Sequence, residues 1–202
     1  MRIGIDIDGV IADTFPFLID ELNNYFQANL NLEDINDYNI FKVYGLSDIE
    51  ALKFIHEKEQ DLIERPPLKD NAAKYLNILS QEHTIYIVSA RHEKYRSQTE
   101  NWFQKHNIPF HVLTLLGSHD KREVCNQMSI EIFIEDNLKN IHQINSCGIP
   151  ALLFDAPYNQ GKLPFLTRRC YSWEEIFQVL KQWDLDGEKG QLLLSKKIGM
   201  EK

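Results

Sequence analysis

Asp6 and Asp8 stand two residues apart at the end of an apolar run, and Gly9 follows at once. On an extended chain residues i and i+2 point the same way, so both carboxyl groups can address one point. Gly9 permits the sharp exit that brings the next loop's backbone close. Three other apolar runs end in comparable polar groups: Ser89-Ala90-Arg91 after TIYIV, Gly117-Ser118-His119-Asp120-Lys121 after a third run, and Glu135-Asp136-Asn137 after EIFI. Carboxylates that directly follow apolar strand cores are expected to be buried, where an unpaired charge is costly. If Asp6, Asp8, Glu135 and Asp136 gather, Lys121 alone cannot neutralise them. A hard divalent cation can, and an all-oxygen donor set favours Mg²⁺ over zinc or copper. With Mg²⁺, Lys121, the Ser89 hydroxyl and free backbone N–H groups, such a site would hold a phosphoryl group. Its chemistry would rest on positioning and charge stabilisation.

The elements that must deliver these groups can be read from periodicity. Residues 2–7 read as a strand with Ile3, Ile5 and Ile7 alternating. Phe17, Leu18, Leu22, Tyr25 and Phe26 then recur at helical spacing, and residues 29–44, rich in Asn and Asp, read as irregular. Residues 47–63 read as a helix with Ser47 as N-cap and Glu50 completing a capping box, ended by Arg65-Pro66-Pro67. Beyond Pro67, helices over 71–79, 95–106, 121–128, 138–146 and 172–183 alternate with strands over 84–89, 111–116, 131–135 and 151–154. The expected fold is α/β: a Rossmann-like parallel sheet with helices on both faces and a small helical cap inserted after the first strand. The expected division is a core over 1–13 and 69–184, a cap over 14–68 and a C-terminal tail over 185–202. In an open parallel sheet ligands sit beyond the carboxyl ends of the strands, which is where all four polar groups fall.

Composition narrows the possibilities. The 202 residues carry a net charge of −8, with 43% hydrophobic and 26% charged residues, an ordinary globular balance. That charge opposes binding of long nucleic acids. No apolar run approaches the roughly 18 residues of a membrane span. The opening MRIGIDIDG reaches acidic residues at once, unlike a signal peptide, so the cytoplasm is the expected compartment. Cys125, Cys147 and Cys170 are too widely spaced for a zinc pattern and read as inert core thiols.

With DIDGVIADT at 6–14, a strand ending in Ser89, Lys121, and IFIEDN at 132–137, the chain resembles the haloacid dehalogenase superfamily of Mg²⁺-dependent phosphatases. The resemblance covers the core, residues 1–13 and about 69–183. DxDGVIAD, IEDN and Pro157-Tyr158-Asn159 look most like the 5'(3')-deoxyribonucleotidase group and its bacterial relatives. The resemblance implies Asp6 as the nucleophile that becomes an aspartyl-phosphate. It implies Asp8 as the acid that protonates the leaving alkoxide and then activates water. Ser89, Ala90 and Lys121 would hold the phosphate. Mg²⁺ would be held by Asp6, the Asp8 backbone carbonyl, Glu135 and Asp136, with the direct ligand of the last pair left open. Asp8 is expected to titrate above the ordinary carboxylate value of about 4, so that it carries a proton when needed. Arg91 and His92 are candidate substrate contacts, and His119 or Arg122 could stand in for Lys121. The group commonly carries an aromatic directly after DxDGVxAD, packed on the base; this chain has Thr14 there and Phe15 next.

The implied substrate is a small phosphorylated metabolite, foremost a nucleoside or deoxynucleoside monophosphate, with no nucleic acid polymer and no membrane as partner. A homodimer is compatible with the sequence. The aromatics Phe15, Phe17, Tyr25, Phe26, Tyr38, Phe41 and Tyr44 of the insertion offer stacking surfaces for a base. The competing expectations are a sugar-phosphate or other metabolite phosphatase and, from a different class, a receiver-like module phosphorylated on aspartate. A receiver phosphorylates an aspartate at the end of a central strand, where this chain has Ser89.

Overall fold

The computed structural model describes residues 1–186; from residue 187 on, the expected tail lies outside the described residues. Six strands form one sheet: β1 (Arg2–Ile5), β2 (Thr84–Ser89), β3 (Val112–Leu115), β4 (Ile132–Glu135), β5 (Ala151–Phe154) and β6 (Thr167–Cys170). Their order is β3-β2-β1-β4-β5-β6 and every pairing is parallel. Helices α4 (Ala72–Leu79), α5 (Arg96–Lys105), α6 (Arg122–Gln127), α7 (Leu138–Ser146) and α8 (Trp173–Asp186) make the crossovers and close the sheet.

The period-two alternation assigns each strand residue to a face. Ile3, Ile5, Ile85, Ile87, Ile132 and Ile134 join Tyr75 and Leu76 of α4, Trp102 and Phe103 of α5, and Trp173 and Ile176 of α8 in one buried cluster. On the other face Val88 and Phe133 pack with Cys125 of α6 and Ile144 of α7. All three cysteines are free, and burial pushes the Cys125 and Cys170 thiols up to about 12, as inert core thiols require.

Two strands differ from expectation. β1 ends at Ile5, two residues early: the Asp6 amide still donates to the Ile134 carbonyl of β4, but the Ile7 carbonyl accepts from the Ile11 and Ala12 amides and turns the chain. β6 was not expected, because Thr-Arg-Arg-Cys has no apolar alternation. It lies at the sheet edge, where charged side chains are tolerated; Arg168 pairs with Glu175 and Arg169 with Asp155.

Between β1 and β2 the chain inserts α1 (Thr14–Phe26), a 3₁₀ turn at Leu32–Asp34, the short α2 (Ile40–Val43) and α3 (Asp48–Glu64). Ser47 caps α3 and forms the expected capping box with Glu50. Phe15, Ile19, Leu22, Ile35, Ile40 and Phe54 bury against one another in a separate apolar cluster, which also takes in Tyr158 from beyond β5. The two chain passages that join this segment to the sheet run side by side. Asp13 N donates to Pro67 O at 2.8 Å, and Lys69 N to Ile11 O at 2.9 Å. Two buried indoles pin the same passages: Trp102 Nε1 to Pro66 O and Trp173 Nε1 to Val10 O, both at 2.9 Å. No helix among the described residues is long and apolar enough to cross a membrane.

Gly4 sits mid-strand in β1, where Phe133 of β4 fills the space of a side chain. An added Cβ would lie 2.3 Å from Phe133 Cδ2. Gly4→Ala is therefore expected to destabilise the fold by about 1–3 kcal/mol through overpacking. Urea unfolding checks this; an unchanged midpoint would mean that the Phe133 ring can move aside freely.

Candidate active site

Parallel pairing brings the four polar groups to one edge. Ile5 of β1 is level with Ile87 of β2 on one side and Ile134 of β4 on the other. The residues just beyond, Asp6 and Glu135-Asp136, leave the sheet together, and Ser89 ends β2 beside them. Asp6, Glu135 and Asp136 each place a carboxylate oxygen within 4.8 Å of the others, all three buried. Lys121, at the start of α6 and fully buried, reaches between two of them: Nζ lies 2.7 Å from Glu135 Oε2 and 2.9 Å from Asp6 Oδ1. Its ammonium also sits 5.1 Å from the centre of the Phe133 ring. Neither alternative takes its place. Arg122 pairs with Asp120 at the surface, and His119 stands edge-on to Tyr38 at 6.1 Å.

The two acids of the late pair are used differently. Glu135 is engaged on both oxygens, Oε2 by Lys121 and Oε1 by the amides of Asp136 and Asn137 at 3.2 and 3.1 Å. Asp136 accepts the Tyr158 hydroxyl on Oδ2 at 2.6 Å, while its Oδ1 is buried without a partner. Asp6 Oδ1 has Lys121 beside it but no donor aligned with it. Burial, with Glu135 and Asp8 adding to it and Lys121 opposing, pushes the Asp6 carboxyl up to about 7. Burial also raises Asp136, with Glu135 and Asp6 adding to it. Burial disfavours charge on Lys121 as well, but the two carboxylates outweigh it and its pKa rises. The cluster thus holds more negative charge than its lysine balances. Buried, oxygen-only donors with two unsatisfied carboxylate oxygens suit a hard divalent cation such as Mg²⁺.

Asp8 lies apart from that cluster, at the mouth of the site. Arg91 grips it with two hydrogen bonds, Nε to Oδ2 at 2.9 Å and Nη2 to Oδ1 at 2.8 Å, and the Thr14 hydroxyl donates to Oδ1 at 2.7 Å. The Arg91 side chain is only 3% exposed and that of Asp8 28%. Burial works to raise the Asp8 carboxyl, but the guanidinium and the hydroxyl outweigh it and hold Asp8 below the ordinary range. This overturns the expectation of a raised Asp8. Arg91, a candidate substrate contact, is engaged by Asp8, and His92 caps a turn by accepting the Lys94 amide. Thr14, where an aromatic was the rule, supplies the third contact to Asp8. Ser89 Oγ accepts the Arg91 amide at 3.2 Å, which leaves its own proton free to donate; Ala90, half-buried, follows it.

Gly9 makes the crowding possible. It adopts φ +78°, and a Cβ there would fall 2.0 Å from Asp136 Oδ2. Asp37 and Tyr38 of the inserted segment face Leu138, Lys139, His142 and Gln160 across a cavity of 280 Å³, which the four acids, Ser89 and Lys121 do not line.

Arg91→Met removes the cation paired with Asp8, so its carboxyl should rise toward the ordinary carboxylate range or above it. A ¹³C NMR titration of the Asp8 carboxyl checks this; a value that stays depressed would show that Thr14 and the loop, not Arg91, set it.

The family model described as "5' nucleotidase, deoxy (Pyrimidine), cytosolic type C protein" matches residues 1–183. Among curated relatives, a "Putative nucleotidase" of Halalkalibacterium halodurans is 36% identical over 90% of this chain and 93% of its own length. A "Nucleotidase" of Clostridium acetobutylicum is 31% identical over 89% of this chain and 93% of its own. Among solved structures, a haloacid dehalogenase-like hydrolase from Streptococcus pneumoniae superposes with a TM-score of 0.67 at 14% identity. That match covers 89% of this chain and 97% of the other, a likeness of fold.

Proposed function

This chain belongs to the 5' nucleotidase, deoxy (pyrimidine), cytosolic type C family, and we propose that it is a Mg²⁺-dependent phosphomonoesterase acting on (deoxy)nucleoside 5'-monophosphates. The observation that carries the reading is the buried excess of carboxylate charge, Asp6 and Asp136 each keeping an oxygen without an aligned donor. Asp6, Asp136 and the Asp8 backbone carbonyl would hold the cation directly. Glu135, with both oxygens engaged, would act from behind them by holding Lys121 and the 136–137 backbone. When bound, Mg²⁺ supplies the positive charge that keeps Asp6 ionised and polarises the phosphoryl oxygens.

The chain's own groups then divide the work. Ser89 Oγ, the Ala90 N–H and Lys121 hold the phosphate. The Asp6 carboxylate attacks phosphorus, the phosphorus–oxygen ester bond breaks, and the leaving alkoxide takes a proton from Asp8. In the second half Asp8 takes a proton from water, the resulting hydroxide attacks phosphorus, the bond from phosphorus to Asp6 breaks, and inorganic phosphate and the Asp6 carboxylate are released. Arg91 suits Asp8 to this second half, in which the carboxylate is the reactive form. The incoming phosphate dianion opposes Arg91 and favours the protonated form required in the first half. Residues 14–68 act as a cap on the core formed by 1–13 and 69–184. The family and its named relatives favour a nucleoside over other leaving groups. The expected setting is the cytoplasm, where nucleoside monophosphates are made.

Asp6→Asn should keep the fold and lower turnover of p-nitrophenyl phosphate with Mg²⁺ by on the order of 10⁴-fold or more. Full activity in that variant would refute the nucleophile. Across a panel of monophosphates the nucleotides should lead by kcat/KM. Sugar phosphates ranking level or higher would transfer the chain to metabolite phosphatases. Stoichiometric labelling without turnover would make it a receiver.

A further inference from the structure

Pro157-Tyr158-Asn159 lies beyond β5, well away in sequence from the four acidic and phosphate-binding stretches, yet it holds one of the acids by two hydrogen bonds. The Tyr158 hydroxyl donates to Asp136 Oδ2 at 2.6 Å. Asn159 Nδ2 donates to the Asp136 carbonyl at 2.7 Å and to Phe154 O at 2.8 Å. Arg169 of β6 fixes Asn159 in turn, Nη1 to Oδ1 at 2.7 Å and Nη2 to the carbonyl at 2.9 Å. Side chain and backbone of Asp136 are thus both set by one turn, and with Oδ2 occupied, the oxygen left open is Oδ1.

The same tyrosine has a second set of neighbours. Its ring stacks on Phe15 of α1, centroids 3.9 Å apart and planes 22° from parallel, and meets Tyr38 edge-on at 5.7 Å. Phe15 and Tyr38 belong to the inserted segment, and neither is among the acids' hydrogen-bond partners. Tyr158 therefore links the seating of that segment to Asp136 by a direct hydrogen bond.

We propose that Tyr158 is a positioning residue that orients Asp136 for the cation and ties cation affinity to how the inserted helices sit, an inference that rests on the Mg²⁺ reading above. A hydrogen bond from a neighbour fixes the rotamer of a ligating carboxylate and tunes its basicity. Losing such a partner typically weakens metal binding about 10–100-fold.

The test is direct binding of Mn²⁺, followed by loss of its free-ion electron paramagnetic resonance signal, with no substrate present. Tyr158→Phe keeps the ring and removes the hydroxyl; its Mn²⁺ dissociation constant should rise about 10-fold. Phe15→Leu keeps the hydroxyl and removes the stack; it should weaken Mn²⁺ binding in the same direction by a smaller factor. Binding within twofold of wild type in Tyr158→Phe overturns the positioning role, and unchanged binding in Phe15→Leu overturns the link to the inserted segment. Asp136→Asn separates this inference from its premise. If it binds Mn²⁺ as wild type does, the cation reading itself fails. If it loses binding while Tyr158→Phe does not, the positioning role alone fails. Wild-type protein carrying 3-fluorotyrosine gives a readout that needs no variant to fold well. The ¹⁹F resonance of Tyr158 should shift on adding Mg²⁺, and one that stays in place overturns the proposal.

Discussion

Three carboxyl groups meet at one end of a parallel sheet with Asp8 beside them, and two cations are built in against the four. Arg91 closes on Asp8 as a pair, and Lys121 is shared by Asp6 and Glu135. Asp136 receives only a phenol on one oxygen and nothing on the other. Such an arrangement is unfavourable in isolation, since burial penalises each charge that is not matched. It is tolerated because the strands that deliver it are anchored elsewhere. Ile3, Ile5, Ile85, Ile87, Ile132 and Ile134 are fully buried, and the strong apolar packing of the sheet offsets the cost at its edge. The cost is local, and on the reading proposed above a bound cation would offset it.

The inserted helices depend on the same edge. Their two chain passages lie side by side on Ile11, Asp13, Pro67 and Lys69, clamped by the indoles of Trp102 and Trp173. Beyond that clamp the segment has its own apolar cluster, and Tyr158 is the sheet-side residue buried in it. Lys94 adds an ion pair to Glu59 of α3 at 2.7 Å, on the rim where solvent screens it and its worth is small. The aromatic residues that looked free to stack a base are largely engaged with one another: Phe15 on Tyr158, and Tyr25, Phe26 and Phe41 around Phe54.

The α/β alternation, the parallel sheet, the capping box at Ser47 and the gathering of Asp6, Glu135, Asp136 and Lys121 were all legible in the chain. Each follows from local chemistry: β-branched runs make strands, helices force parallel crossovers, and crossovers send every strand end to the same edge. The edge strand β6 was not legible, because Arg168 and Arg169 hide its alternation and among the described residues its one sheet neighbour is β5. Partnerships were not legible either. Arg91 and Asp8 are 83 residues apart, and Tyr158 and Asp136 are 22 apart. No spacing rule connects such pairs, since their meeting is decided by how loops leave the sheet. For the same reason the state of Asp8 was misjudged. Residue type and neighbouring acids argued for a raised carboxyl, whereas the guanidinium that lowers it enters from a different strand. What the sequence determined by itself was therefore the set of groups and the edge on which they assemble, because both are consequences of strand and helix periodicity. Which acid is clamped, which is shared and which keeps an open oxygen was decided only by the tertiary structure, because hydrogen bonds between side chains depend on distances of a few tenths of an ångström that no local pattern encodes.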